Sequence, residues 1–118
     1  DSPANLFLGI RSNLLDRYVG NIKIGPIDEN HGVGELGIMI GDKKAWGKGI
    51  ASSAVLLMLG IARDRLLLRK VFAGYYSSNI ASQRLFEKSG FKVEVVRKQH
   101  FLLNGVPVDD VIVGKSLK

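Results

Sequence analysis

The stretch that decides the fold is GDKKAWGKGIA, residues 41–51. The six residues before it, ELGIMI at 35–40, are short and apolar enough to form a strand. After it, residues 50–62 place apolar side chains at 50, 54, 55, 58, 61 and 62, which is the spacing of one helix face. The sequence therefore predicts a strand, a glycine-rich loop and a helix, in that order.

A loop that opens a helix in this way favours anion binding. The first amides of a helix have no partner within the helix, and they carry the positive end of the helix dipole. Gly47 and Gly49 lack a Cβ atom, so a phosphate group can approach the backbone closely. We therefore expect an anion site here, suited to a phosphorylated cofactor.

Three known phosphate-binding patterns have a glycine spacing close to that of this loop. A Walker A loop needs four residues between its first glycine and Gly-Lys-Ser/Thr. Gly41 and Gly47 are separated by five residues, and Gly49 stands where the hydroxyl residue belongs. The Walker A interpretation therefore fails at two positions.

The dinucleotide pattern Gly-x-Gly-x-x-Gly belongs between a strand and a helix. Residues 32–37 match its letters, but an apolar strand follows them, so we interpret this as a chance match. A partial match that begins at Gly47 is better placed, because it lies between the predicted strand and the predicted helix. However, no strand with an acidic residue to bind the ribose follows it at the expected distance. The third pattern, Gln/Arg-x-x-Gly-x-Gly/Ala, fits Lys44 to Gly49 apart from its first letter.

This third pattern resembles the pyrophosphate-binding motif of the GNAT superfamily of N-acetyltransferases. The wording WGKGIA at 46–51 is closest to the branch that contains the ribosomal-protein N-terminal acetyltransferases. A second match lies downstream, because NIAS at 79–82 followed by LFEKSGF at 85–91 is similar to the family's Asn-x-x-Ser helix ending in Lys-x-Gly-Phe. The resemblance covers roughly residues 6–117.

Composition restricts the remaining classes of protein. A chain of 118 residues with 46% apolar residues is long enough for one domain with one core, so we expect a single domain over 1–118. There is no Cys, which excludes disulfides, thiolate metal sites and a Cys acyl-enzyme. The longest apolar run is too short for a bilayer and no secretory signal is seen, so we expect a cytoplasmic protein without a membrane partner. The net charge of +6 favours anionic partners, but without a basic stripe carrying aromatics we expect no nucleic acid.

Patterning along the chain predicts an α+β fold. Strands are expected over 6–10, 19–24, 33–40, 70–76, 91–103 and 106–117, and helices over about 47–64 and from 79 to just before Gly90. Gly25-Pro26 should end the second strand, and Asn104-Gly105 is a strong hairpin signal. The expected result is a mixed, mostly antiparallel, twisted GNAT-like sheet of about six strands with two helices packed on it. The full family forms a three-layer α/β/α sandwich, and its first strand and helices are not recognised here.

The resemblance implies a set of residues that bind the cosubstrate. Lys44 departs from the family's Gln or Arg, and Lys reaches a phosphate only as a point charge. Trp46 is beside the loop, where packing is the commoner role of such a residue. The cofactor-binding residues expected from the resemblance are Ile38, Met39, Ile40, Lys44, Trp46, Gly47, Lys48, Gly49, Ile50, Ala51, Asn79 and Ser82.

Glu35 is the candidate catalytic base. It is the only charged residue on its apolar strand, just before the loop, and burial would raise the pKa of such a carboxyl towards the range a base needs. A glutamate on an exposed strand face is the plainer interpretation. Where many family members carry a Tyr that protonates the leaving thiolate, this chain has Phe86. Tyr76 and His100 are weaker candidates.

These residues lead to an acetyl-CoA-dependent N-acetyltransferase that acts on a primary amine by direct attack in a ternary complex, without a metal. The expected acceptor is a small molecule or a peptide, and Asp110 is a candidate for holding a cationic one. A catalytically silent GNAT-like module that binds coenzyme A or a partner is the alternative. The long terminal hairpin has Val-rich strands that could pair between subunits, so a homodimer is also a candidate.

Overall fold

The computed structural model of the protein describes the backbone of residues 4–118. The described residues form six strands and two α-helices, in the order β1 (Ala4–Ser12), β2 (Arg17–Asp28), β3 (Val33–Ile40), α1 (Ile50–Asp64), β4 (Lys70–Tyr76), α2 (Ile80–Lys88), β5 (Lys92–Leu103) and β6 (Val106–Ser116). A short 3₁₀ turn, Lys43–Ala45, lies between β3 and α1.

The strands form one sheet in the order β1-β2-β3-β4-β6-β5. All neighbouring strands run antiparallel except β3 and β4, which run parallel because α1 carries the chain back between them. The predicted α+β fold, a mostly antiparallel sheet of six strands with two helices, is therefore confirmed.

Strands β3 and β4 pair over only a short length. Their ladder joins Val33 to Lys70, Gly34 to Val71 and Glu35 to Phe72, and then it ends. Beyond that point β3 stays paired with β2 as far as Ile40, while β4 stays paired with β6 as far as Tyr76. The two strands therefore separate towards their carboxyl ends and leave a gap, called here the cleft.

Both helices pack on the same face of the sheet. Side chains alternate along a strand, and the buried set on β4 is Val71 and Ala73. Tyr75 is on this side too, and its ring stacks on Phe86 of α2. The core combines these residues with apolar side chains of α1, namely Val55, Met58, Leu59 and Ala62. The opposite face of the sheet, called here the open face, carries Glu35, Phe72 and Gly74, and no described helix covers it.

The terminal hairpin turns where its sequence predicts. Asn104 and Gly105 both have positive φ angles, 52° and 78°, as a two-residue type I′ turn requires. Leu103 and Val106 pair directly on either side of the turn. Strand β5 forms one edge of the sheet, and most of its side chains are exposed.

The predicted element boundaries differ most from the structure at two places. The first helix begins at Ile50 rather than near residue 47, because Gly47 and Gly49 have φ angles of 73° and 74° that a right-handed helix cannot include. Strand β2 does not end at Gly25-Pro26 but continues to Asp28. The pairing with β3 shifts register between Ile24 and Ile27, and such a bulge accommodates a proline that has no N–H to donate.

Candidate active site

The loop between the 3₁₀ turn and α1 is shaped by two glycines in the left-handed region. Gly47 and Gly49 have φ angles near 73°, and an added Cβ at either position would meet no atom within 4 Å. Gly49 is the N-cap of α1 and provides no side-chain hydrogen bond to the helix. The space above the loop backbone is therefore open.

The amides of this loop lack partners within the described part of the chain. The first intrahelical bond at this end runs from Ser53 N–H to the Gly49 carbonyl. No acceptor within residues 4–118 is found for the N–H groups of Lys48, Gly49, Ile50 and Ala51. Unpaired amides at a helix N-terminus attract an anion, and the exposed Lys48 adds a positive charge beside them.

A carboxylate anchors the start of the loop. Asp42 accepts a hydrogen bond from Arg17 Nε at 2.6 Å and another from the Lys44 backbone N–H at 3.0 Å. The Arg17 hydrogen bond is the main cause that holds the pKa of Asp42 below its usual value. Sequence reasoning missed this pair. An Asp directly before a short helical turn was the available signal, but Arg17 lies 25 positions away in the chain.

Trp46 ties the loop to the end of β3. Its indole Nε1–H donates to the Ile40 carbonyl at 2.8 Å, while 58% of the residue stays exposed. The indole N–H is therefore used inside the protein, and only the ring is available to a ligand. Packing and ligand contact both stay predictions for the Trp46 ring.

The cleft presents backbone amides from β3. Gly41 N–H donates to the Val19 carbonyl of β2 at 3.0 Å, and N–H groups alternate in direction along a strand. By this alternation the N–H groups of Ile38 and Ile40 point away from β2, towards the cleft, whereas that of Met39 points to β2. The ladder to β4 has already ended at Glu35, so the Ile38 and Ile40 amides border the gap.

The N-terminus of α2 lies at the same end of the sheet as the loop, because β3 and β4 are parallel and both helices start just after them. Asn79 caps α2, and its side-chain oxygen accepts the Ser82 N–H at 3.0 Å. Asn79 therefore has a structural role as the N-cap of α2, and its expected role in cofactor binding stays a prediction. Ser82 is one turn before Phe86 on the same helix face.

Glu35 lies at the closed end of the cleft, where the ladder between β3 and β4 stops. Its side chain is on the open face, opposite the helices, and the residue is half-buried. Its carboxylate makes no hydrogen bond or ion pair with any residue of the described chain. A proton could therefore be accepted there without breaking an existing bond.

The comparison with family models decides what this geometry belongs to. Residues 4–92, three quarters of the chain, match the model described as an acetyltransferase (GNAT) domain. The chain belongs to the GNAT family.

Curated relatives named as N-acetyltransferases agree with this assignment. The chain is 36% identical over 73 residues to the probable N-acetyltransferase YjcK of Bacillus subtilis, which covers 62% of this chain and 40% of the relative. It is 30% identical over 101 residues to the uncharacterized N-acetyltransferase YoaA of the same organism, over 86% of this chain and 56% of the relative. The chain thus spans about half the length of the curated relatives that it matches.

Solved structures share the GNAT fold. The spermidine N-acetyltransferase from Vibrio cholerae, solved in complex with CoA and spermine, superposes with a TM-score of 0.88 at 22% identity. The superposition covers 97% of this chain and 66% of that one. At this identity the likeness establishes the fold alone. The narrower placement beside the ribosomal-protein enzymes stays a prediction.

The structure brings most of the predicted GNAT residues to one end of the sheet. The group there consists of Ile38, Met39, Ile40, Trp46, Gly47, Lys48, Gly49, Ile50, Ala51, Asn79 and Ser82, with Glu35 deeper in the cleft. Lys44 is in the 3₁₀ turn before the loop, and its exposed ammonium has no partner in the described chain. None of these positions is occupied by a buried core residue.

Phe86, at the position where the resemblance implies a Tyr in many family members, is part of the core. Phe86 is only 4% exposed, and it packs between Tyr75, with ring centroids 6.2 Å apart, and Phe91, at 5.1 Å. No hydroxyl is available from this position.

The two aspartates of β6 have separate structural partners, as their positions on opposite faces predict. Asp109 accepts the Gln99 N–H at 2.9 Å, which is the main cause that lowers its pKa. Asp110 is 8% exposed at its side chain, and it accepts both Nε, at 2.7 Å, and Nη2 of Arg97. A cationic acceptor would have to compete with Arg97 for Asp110, so the role considered for Asp110 lacks support.

His100 and His31 stay outside the site. His100 is exposed on β5 with its ring against Phe101, and His31 is in the turn before β3. Tyr76 is 42% exposed on the open face, and its ring also contacts Phe101.

A separate pocket of about 380 Å³ lies between β1 and the first half of α1. Leu8, Ile10 and Met58 are among its mostly apolar lining residues, and Lys48 and Gly49 form part of its rim. It adjoins the loop on the side away from the cleft.

The described residues assemble no group of three His, Asp or Glu side chains able to ligate a metal ion. None of the described helices is both long and apolar enough to cross a bilayer.

Proposed function

We propose that this domain is an acetyl-CoA-dependent N-acetyltransferase that moves an acetyl group to a primary amine by direct attack in a ternary complex. The observation that carries this proposal is the cleft between β3 and β4, which leads to a loop of unpaired amides at the start of α1. Two curated relatives named as N-acetyltransferases support it, as does a fold neighbour solved with CoA.

The loop is suited to hold a pyrophosphate. The N–H groups of Lys48 to Ala51 lie at the positive end of α1 without acceptors in the described chain, and Lys48 contributes a full positive charge. Lys44 adds a second charge at the exposed edge of the loop. The open space at Gly47 and Gly49 allows an anion to contact the backbone.

The cleft is suited to hold the arm that joins the pyrophosphate to the acetyl group. The Ile38 and Ile40 amides lack a β4 partner and can donate to an extended ligand lying between the strands. Asn79 and Ser82 border the same end of the gap from α2. When bound, acetyl-CoA supplies a thioester whose carbonyl carbon is the electrophile.

Two groups of the chain then assist the transfer. The Ile38 N–H, which also faces the cleft and is three residues from Glu35, can stabilise the negative charge that develops on the carbonyl oxygen, as a backbone oxyanion donor does. Glu35, half-buried on the open face and without a partner in the described chain, would take the proton that the attacking amine must lose. The cosubstrate would enter at the loop and the acceptor from the open face, so both can be bound at once.

The acceptor is a small molecule or a peptide with a primary amine. A polyamine is one class to test, since the fold neighbour from Vibrio cholerae is named a spermidine N-acetyltransferase. Peptides with free N-termini are another, because the wording of the loop resembles the ribosomal-protein branch. A cytoplasmic location, a single domain over 1–118 and a homodimer remain predictions.

A catalytically silent coenzyme A-binding module is the second candidate. The buried Phe86 favours it, because it removes the hydroxyl that a family member usually offers at that position. Lys44 also favours the silent module, because its ammonium lacks the planar guanidinium with which an arginine binds a phosphate.

The test is acetyl transfer to a panel of amines. Two measurements monitor it, the release of free CoA and the mass of the product. The proposal predicts acetylated product with at least one amine class and none without protein. Binding of acetyl-CoA without product from spermidine, amino sugars or peptides would favour the silent module. Absence of both binding and product would contradict both candidates.

A further inference from the structure

Tyr75 occupies a place that the predicted site residues leave unused. It is in the part of β4 that borders the cleft, three residues beyond the last pair with β3. Its side chain lies on the helix face, and its ring stacks on Phe86 with an interplanar angle of 13°. Tyr75 therefore lies between the cleft and α2, on the side of the sheet from which the loop and α1 approach.

The Tyr75 hydroxyl has no hydrogen-bond partner in the part of the chain that the structure describes. The residue is half-buried. No fully buried side-chain oxygen or nitrogen in the described chain lacks a partner, so this unpaired hydroxyl must be reachable from solvent. Burial raises the pKa of the phenol, and Glu87 of α2 raises it further. The hydroxyl therefore keeps its proton at neutral pH and can donate it.

The proposed reaction needs such a donor. When the amine nitrogen bonds to the carbonyl carbon, the carbon–sulfur bond breaks and its electron pair goes to sulfur. The resulting thiolate must gain a proton to leave as a thiol. Phe86 has no hydroxyl proton to give. Tyr76 follows Tyr75 in β4, so its side chain lies on the open face, away from the helices.

We propose that Tyr75 donates its hydroxyl proton to the departing thiolate of coenzyme A, in place of the residue at position 86. This inference rests on the proposed function. The phenol O–H bond breaks as the S–H bond forms, and the phenolate regains a proton from water. Glu35 takes the proton lost by the amine on the other face of the sheet, so the two proton transfers are kept apart.

The first test compares Tyr75→Phe with Tyr76→Phe. Both changes remove one hydroxyl from neighbouring tyrosines, but only the first faces the helices. We expect Tyr75→Phe to lower kcat about 100-fold with little change in the KM for acetyl-CoA, as loss of a positioned proton donor does. Tyr76→Phe should keep kcat near the wild-type value. Adding Phe86→Tyr to Tyr75→Phe places a hydroxyl on the stacked partner. The kcat of this double variant should be at least about tenfold higher than that of Tyr75→Phe alone.

A second readout does not depend on turnover. The ultraviolet absorbance of the thiolate reports the ionisation of free coenzyme A bound to each variant. A hydroxyl that donates to sulfur stabilises the thiolate, so the bound thiol should have a higher pKa in Tyr75→Phe than in the wild type. In Tyr76→Phe it should match the wild type.

The outcomes separate this inference from the proposed function. An active wild type together with an equally active Tyr75→Phe, and no change in thiol ionisation, would overturn the role of Tyr75 alone. A wild type that binds no acetyl-CoA and acetylates no amine would overturn the proposed function, and the role of Tyr75 with it. A selective loss in Tyr75→Phe, recovered by Phe86→Tyr, is the result expected.

Discussion

The Asp42 carboxylate joins strand β2 to the loop before α1, since one oxygen lies 2.6 Å from Arg17 Nε and the other 3.0 Å from the Lys44 N–H. The preceding residue is also fixed, because Gly41 N–H bonds to the Val19 carbonyl. The loop therefore leaves the sheet from a fixed point. We infer that this attachment orders the amides that the proposed function uses.

Stability should depend on the charge of Asp42 in acid. Its pKa lies below the usual value, chiefly because of the Arg17 hydrogen bond. A carboxyl with a lowered folded-state pKa stabilises the fold above its unfolded pKa of about 3.9, and this contribution is lost as the pH falls through the folded value. Wild type should therefore be more stable than Asp42→Asn at neutral pH, and the difference should shrink below about pH 4. Denaturant unfolding at several pH values measures it.

The control for Asp42 is its partner. In an Arg17→Gln background the main cause of the lowered pKa is gone. Asp42→Asn should then have a smaller effect at neutral pH. An equal effect with and without Arg17 would show that this ion pair is not the source of the stabilisation.

Gly49→Val should weaken acetyl-CoA binding by at least about tenfold, or 1.4 kcal/mol. The valine would occupy the space above the loop and would be strained at a φ angle of 74°, by about 1–2 kcal/mol. Calorimetric titration measures the affinity. Gly60→Ala is the matched control, because Gly60 also has open space around it but is in the interior of α1. It should leave binding unchanged and stabilise the fold by about 0.5–1 kcal/mol.

Glu35→Gln should lower kcat by about 100-fold or more while acetyl-CoA affinity stays the same. The amide keeps the size of the side chain but cannot take a proton from the amine. Steady-state kinetics with the best acceptor of the panel provides the measurement. The exposed Glu29→Gln, in the turn before β3, is the control and should not alter kcat. Unchanged turnover in Glu35→Gln would remove Glu35 from the mechanism.

Arg97→Leu should destabilise the fold by about 2 kcal/mol, because it leaves the Asp110 carboxylate buried without its partner. Lys98→Leu removes a neighbouring cation that is 80% exposed and 3.5 Å from Asp109, and it should cost less than about 1 kcal/mol. Urea unfolding of the two variants gives the comparison. Adding Asp110→Asn should recover part of the loss in Arg97→Leu. Equal costs for the two cations would contradict this account of the buried carboxylate.

Much of the fold follows from local sequence patterns. The apolar periods give the strands and helices, Asn104-Gly105 fixes the hairpin turn, and Asn79 and Gly90 mark the ends of α2. The parallel pairing of β3 and β4 follows from the helix between them. These features depend on residues close together in the chain, which is why a single sequence reveals them.

Other features depend on distant residues and could not be predicted in this way. The bulge that carries β2 past Gly25-Pro26 exists because Ile27 still pairs with Gly34 of β3. The bond between Trp46 and the Ile40 carbonyl and the salt bridge between Arg17 and Asp42 are set by the folded loop. The early end of the β3–β4 ladder creates the cleft, but the chain has no local signal for it. The contact between Tyr75 and Phe86 joins a strand to a helix and was missed for the same reason.

The most direct test of the central claim is the thermal stability of the wild-type protein with and without acetyl-CoA, with adenosine diphosphate and NAD as controls. Selective binding to the folded state should stabilise it by about 2.7 kcal/mol at a hundredfold excess over the dissociation constant. The account predicts a clear upward shift with acetyl-CoA, a much smaller one with either control, and a reduced one in Gly49→Val. An unchanged melting temperature with acetyl-CoA would contradict the assignment of the loop and cleft as its binding site.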